Sequence, residues 1–194
     1  MPLSNIVLMG MGEPLQNYKN VMHAISMITS PDGMGMSTQR ITLSTAGLAP
    51  QIKQLADDGF KCNLAVSLHS ADDNIRSEIM IINKAQPLTV LQEAISYFSK
   101  KTGSRVTLEY LIINNINDSL EDAKKLALFC KAFPCKINII EYNQTDNSPY
   151  QSTTNEKLTK FKAFLESRNM IVNIRVSKGK DIDAACGQLI NKRN

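Results

Sequence analysis

No stretch of this sequence is long and apolar enough to cross a bilayer; the longest apolar runs break off within the length of a strand. The opening run Met1-Pro2-Leu3-Ser4-Asn5-Ile6-Val7-Leu8-Met9-Gly10 has no basic leader and no cleavage site. It reads as a strand rather than a signal peptide, and a cytoplasmic location is expected. Low-complexity runs are absent, and 9 glycines and 7 prolines in 194 residues are no excess, so disorder over most of the chain is not expected. The four cysteines, Cys62, Cys130, Cys135 and Cys186, include no C-x-x-C pair. That spacing argues against a zinc site, and without a secretion signal it argues against a disulfide framework. There are only two histidines. His23 sits inside a helical pattern and reads as structural; His69 alone would more often be a structural hydrogen-bonding group than a catalyst.

What is present is an ordinary globular mix, 43% hydrophobic and 21% charged, with length for one domain spanning residues 1–194. A net charge of +4 and a pI near 8.8 permit a polyanionic partner without requiring one.

Short β-branched runs at Asn5–Met9, Arg40–Ser44, Cys62–Leu68, Arg105–Ile113, Lys136–Tyr142 and Ile171–Val176 are strand candidates. Between them, Leu88, Leu91, Ile95 and Phe98 recur at helical spacing. So do Leu120, Ala123, Ala127 and Cys130, and again Leu158, Phe161 and Leu165. Asp118-Ser119 caps the middle helix, Glu121-Asp122 opens it and Pro134 stops it. Strands and helices alternating in this way predict right-handed βαβ units and a parallel sheet, doubly wound or barrel-like. The third strand favours a barrel. Cys62, Leu64, Val66 and Leu68 share an apolar face, while Asn63, Ala65, Ser67 and His69 share a small, polar one.

Polar residues gather where these strands end. Met9-Gly10-Met11-Gly12-Glu13-Pro14 follows the first strand, with Leu15 breaking the dinucleotide-binding pattern. It is either a plain turn or a loop where backbone and carboxylate approach a ligand. Ser44-Thr45-Ala46-Gly47, Ser67-Leu68-His69-Ser70 and Asn143 end three other strands. Singly, Ser44 or Ser70 could be a helix cap; together with Glu13 they could line a pocket for a polar small molecule. The polar loop from Asn143 to Asn155 lies at the same edge. Cys186 sits among small residues in Asp181-Ile182-Asp183-Ala184-Ala185-Cys186-Gly187-Gln188-Leu189. It is either an inert cysteine or an accessible nucleophile needing activation against two aspartates. The other three cysteines fall in strand or helix patterns and read as inert. Lys157, Lys160, Lys162, Arg168, Arg175, Lys178 and Lys180 form a basic strip suited to a phosphate backbone or to a solvated face.

Taken in order, these motifs resemble the RlmN/Cfr family of radical S-adenosylmethionine RNA methyltransferases. The matching stretches are Met9–Leu15, Arg40–Gly47, Ser67–Ser70, Val106–Tyr110, Cys135–Ile140 and Asp181–Leu189, and the last is the most specific. The resemblance implies an α/β fold, a partial parallel (β/α) barrel of the radical SAM type. It implies that Gly12 and Glu13 hold the methionine end of S-adenosylmethionine, that Ser44, Ser67, Leu68, His69 and Asn143 hold the rest, and that Cys186 becomes S-methylated. It further implies a [4Fe–4S] cluster fed by an electron donor, reductive cleavage of a second S-adenosylmethionine, and methylation of adenosine in 23S rRNA and possibly tRNA. The RlmN type modifies C2 and is favoured as the widespread housekeeping form; the Cfr type modifies C8. The family's C-x-x-x-C-x-x-C cluster loop, its second cysteine and its RNA-binding domain have no counterpart here. The chain is accordingly expected to be a fragment without turnover, lacking the first barrel strand and the cluster ligands. Gln144 follows Asn143 where the family commonly has proline. Two other readings stay open: a non-catalytic RNA-binding module, and a barrel enzyme acting on a phosphorylated substrate.

Overall fold

Six short strands line up in a computed structural model that describes residues 3–143 and 148–175. They are β1 (Ile6–Leu8), β2 (Ile41–Thr45), β3 (Asn63–Ser67), β4 (Val106–Ile112), β5 (Cys135–Glu141) and β6 (Val172–Arg175). All neighbours are parallel, and the spatial order is the chain order, β1 through β6. Right-handed crossovers that step always in one direction leave every helix on the same face. A doubly wound sheet would instead reverse direction at a switch point. The arrangement is therefore the open, singly wound sheet of a partial barrel.

Each strand's alternation agrees. On the helix side stand Ile41, Leu43, Leu64, Val66, Leu108, Tyr110, Ile137 and Ile139, each at most 1% exposed. They pack against helices α1 (Tyr18–Thr29), α2 (Ala49–Asp57), α4 (Leu88–Thr102), α5 (Leu120–Cys130) and α6 (Asn155–Glu166) in one continuous core, while α3 (Asp73–Ile79) buries only Arg76. α2 lies against α4, and α5 against α6. The other face carries Ser44, Ala65, Ser67, Thr107, Glu109 and Asn138 and lines the barrel interior. The division expected from the third strand holds across the sheet.

Local signals explain the helix ends. Ser119 Oγ accepts from the Asp122 amide while the Asp122 carboxylate accepts from the Ser119 amide, a reciprocal box that fixes the start of α5. Gly103, left-handed at φ 70°, closes α4. Two expectations shift. Leu120 is 49% exposed, because the buried stripe of α5 runs through Ala123, Leu126, Ala127 and Cys130 and Leu120 sits at its first, outward position. Pro134 does not stop α5, which ends four residues earlier; its carbonyl accepts from the Val106 amide at the start of β5's pairing with β4.

Candidate functional site

The C-terminal ends of β1, β2 and β3 are tied together by side chains that the sequence placed there. Glu13 accepts with Oε1 from the Leu15 amide at 3.0 Å and with Oε2 from the Ala46 amide at 2.6 Å. One carboxylate thus caps the turn after β1 and grips the loop after β2. Gly12, at φ +98°, bends the chain in a conformation that L side chains rarely adopt, and no atom lies within 4 Å of where its Cβ would be. The turn therefore opens onto free space, with Glu13 acting as its brace.

Ser44 and Ser67 both face the interior, and neither hydroxyl bonds another described residue. The helix-cap alternative for Ser44 does not apply. Its neighbour Thr45 accepts from the Gly47 and Leu48 amides, and α2 starts without a side-chain cap. Ser70 does act locally, accepting from the Asp72 amide, while Asp72 caps α3.

His69 occupies a left-handed backbone at φ 57°. Its Nδ1 accepts from the Leu111 amide at 3.0 Å, so in the neutral ring the proton sits on Nε2. Burial, followed by the nearby Arg76 charge, pulls its pKa down to about 4. At neutral pH it is an uncharged donor that no described residue engages through Nε2. Asn117, fully buried, holds this turn: its Nδ2 donates to the His69 and Leu111 carbonyls and its Oδ1 accepts from the Ile113 amide. Leu68 differs from its neighbours. Its side chain is 0% exposed in the helix-side core, its amide donates to the Glu109 carbonyl, and its carbonyl accepts from Arg76. It shapes the turn and has no side-chain atom in the interior. Asn143, 7% exposed, follows the end of β5 at the same sheet edge.

Behind these turns lies a residue that sequence reasoning missed. Arg76, on α3, is 0% exposed. It donates from Nε to the Leu68 carbonyl, from Nη2 to the Ala46 and Ser67 carbonyls, and from Nη1 to Asn83 Oδ1. It thus clamps the ends of β2 and β3 from the core side. A charged residue on a helix reads by default as solvent-facing, and nothing in the pattern around Arg76 distinguishes it. Asn117 was equally hidden, in a run that looks like any polar turn.

The described members of the basic strip each have a local partner. Lys157 Nζ bonds Asp118, Asn114 and Asn115; Lys160 pairs with Glu156 and Lys162 with Glu166; Arg168 lies over Phe164; and Arg175 reaches Glu109. Lys178, Lys180 and Cys186 lie outside the described residues. Cys62 and Cys130 are buried. Burial pushes the Cys62 thiol up; a hydrogen bond with Cys135, then burial, does the same for Cys130. Among the described residues no cluster of three or more histidine, cysteine or acidic side chains is placed to hold a metal ion. No described helix is long and apolar enough to cross a membrane.

Known proteins share this sequence and this fold. No family model matches the chain. Curated relatives named "Probable dual-specificity RNA methyltransferase RlmN" match over 98% of it. That of Christiangramia forsetii is 54% identical, that of Flavobacterium psychrophilum 53% and that of Salinibacter ruber 46%. The chain spans about half the length of these relatives, 54%, 55% and 52% respectively. A crystal structure of a radical SAM methyltransferase from Sphaerobacter thermophilus superposes with a TM-score of 0.93 at 40% identity, over 97% of this chain and 55% of that one. A domain of a pyruvate-formate lyase-activating enzyme from Bacteroides vulgatus shares the fold alone, with a TM-score of 0.70 at 16% identity over 90% of this chain and 100% of that one. By sequence and by fold, the chain belongs to the RlmN/Cfr family of radical S-adenosylmethionine methyltransferases.

Proposed function

We propose that the protein containing this chain methylates C2 of adenosine in RNA, ribosomal and in some cases transfer RNA, with S-adenosylmethionine bound at the ends of β1, β2, β3 and β5. The observation that carries this reading is the convergence of Gly12, Glu13, Ser44, Ser67 and His69 on one sheet edge, in a chain about half identical to proteins named as such methyltransferases.

The residues fit a molecule with an ammonium group, a ribose and an adenine. The turn at Gly12 has open space beside it where a ligand can approach the backbone closely; the Glu13 carboxylate holds that turn still. Ser44 and Ser67 offer hydroxyls able to donate or accept. His69, held neutral by burial, offers a fixed N–H and brings no positive charge against a sulfonium. Arg76 and Asn117 keep these turns in place without touching the ligand space. S-adenosylmethionine supplies the methyl group when bound. The cluster of such enzymes would need ligands from outside the described residues, and an electron donor to serve it. Cys186 is assigned the acceptor of the methyl group, on the strength of its motif alone.

The test is Cys186→Ala in the intact protein, reconstituted with iron and sulfide. Loss of methyl transfer to RNA, with S-adenosylmethionine still bound, is expected. Retained transfer would remove Cys186 from the reaction.

A further inference from the structure

One buried charge is unused by this reading. Glu109, on β4, faces the barrel interior and is 3% exposed. Ser67, Glu109, Asn138 and Asn173 are register partners across β3 to β6, so they form one polar row. Glu109 Oε1 accepts from Asn138 Nδ2 at 2.9 Å, and Asn138 Oδ1 accepts from Asn173 Nδ2 at 3.4 Å. The other oxygen, Oε2, lies 3.3 Å from Arg175 Nη1.

Arg175 stands in the next row towards the strand ends. Its register partner is Ile140, whose partner is Leu111, the residue whose amide His69 accepts from. Arg175 and His69 are therefore at one level of the interior, three strand spacings apart, or about 14 Å along the sheet. The arginine side chain is 46% exposed, against 4% for Glu109. A guanidinium has five N–H donors, and only one finds an acceptor among the described residues.

Keeping a carboxylate in a barrel interior is costly, and an apolar residue of similar volume would serve stability as well or better. What Glu109 supplies is direction. It fixes a long, half-exposed side chain so that the remaining donors of its planar fork stand at the mouth of the barrel. That fork matches carboxylates and phosphates, which present paired oxygens. We propose that Arg175 is an oxyanion receptor at the C-terminal edge of the barrel and that Glu109 is its positioning residue. This rests on the methyltransferase reading, which brings two sources of oxyanion to that edge: a phosphate of the RNA and the carboxylate of S-adenosylmethionine.

The experiment compares the intact protein with Arg175→Gln, Glu109→Gln and the double variant, which strands no buried charge and so guards against a folding defect. Dissociation constants are measured for RNA at several salt concentrations, for S-adenosylmethionine, and for 5′-methylthioadenosine, which lacks the carboxylate. If the ligand is a phosphate, Arg175→Gln and the double variant weaken RNA binding about tenfold and lower the salt slope by about 1, with S-adenosylmethionine unaffected. If it is the carboxylate, they weaken S-adenosylmethionine about tenfold and leave 5′-methylthioadenosine unchanged. In either case Glu109→Gln weakens the same ligand, and the double variant is no worse than Arg175→Gln, as coupled residues require. RNA and S-adenosylmethionine binding both within about twofold of the unmodified protein in the Arg175→Gln and double variants would overturn the proposal, leaving Arg175 a counter-charge only. An unmodified protein that binds neither ligand would instead overturn the methyltransferase reading on which it rests.

Discussion

Replacing Arg76 by methionine isolates the clamp behind the candidate site. Methionine keeps most of the volume and removes every donor. Five hydrogen bonds of 2.6–3.5 Å are lost, the longest of them to the Gln86 carbonyl. The Oδ1 of Asn83, 2% exposed, and the partly buried carbonyls of Ala46 and Ser67 lose this donor, while the Leu68 carbonyl keeps the Ser70 amide. Each acceptor deprived of its donor costs about 1–3 kcal/mol, so three of them give a nominal sum of about 3–9 kcal/mol. Two effects reduce it: the desolvation of a buried guanidinium is recovered, and water enters as the turns relax. A net loss of about 3–5 kcal/mol remains, the range for removing one partner of a buried charged network. Urea unfolding followed by circular dichroism reads this directly, and S-adenosylmethionine binding should weaken in parallel, because the clamped carbonyls belong to the turns carrying Ser44, Ser67 and His69. A loss below about 1 kcal/mol would mean that Arg76 is a passenger and that the turns hold themselves.

Two further predictions follow from the same edge. Because His69 has a folded pKa near 4 against an ordinary 6.5, the unfolded chain takes up a proton between those values that the folded chain refuses. His69 therefore costs no stability above pH 6.5, and stability falls as the pH drops towards 4, by about 2–3 kcal/mol after allowing for partial solvent access to the ring; His69→Gln should flatten the pH dependence of urea midpoints in that window. Gly47→Ala should lower stability by about 1–3 kcal/mol, since the residue sits at φ +107° and its new Cβ would lie 3.1 Å from Leu91 Cδ1 and 3.2 Å from Arg76 Nη2; thermal unfolding unchanged to within a degree would contradict that.

The parallel sheet was legible because its strands carry period-two patterns that survive burial. In β3 the apolar pair Leu64, Val66 and the small pair Ala65, Ser67 separate cleanly, and the sheet uses each on the face expected. The helices α4, α5 and α6 were legible from their apolar spacing, whereas α3 was not: it is seven residues long and its buried residue is an arginine. The site residues were legible as positions, because strand ends in a parallel fold all face one way. Their roles were less so. Glu13 reads as a free carboxylate in sequence, yet both its oxygens serve backbone amides 2 and 33 residues away, a pairing only the fold creates. The basic strip illustrates the converse. Consecutive charges suggest a surface for phosphate, but Lys157 is turned into the loop after β4 by Asp118, which is 4% exposed, through a contact 39 residues distant.

The central claim is tested most directly by mass spectrometry of RNA incubated with the intact, cluster-loaded protein and S-adenosylmethionine. A methyl group on C2 of adenosine is the expected product. Methylation at C8 would contradict the assignment of ring position, and unmodified RNA, with cofactor bound and the cluster intact, would contradict the reaction itself.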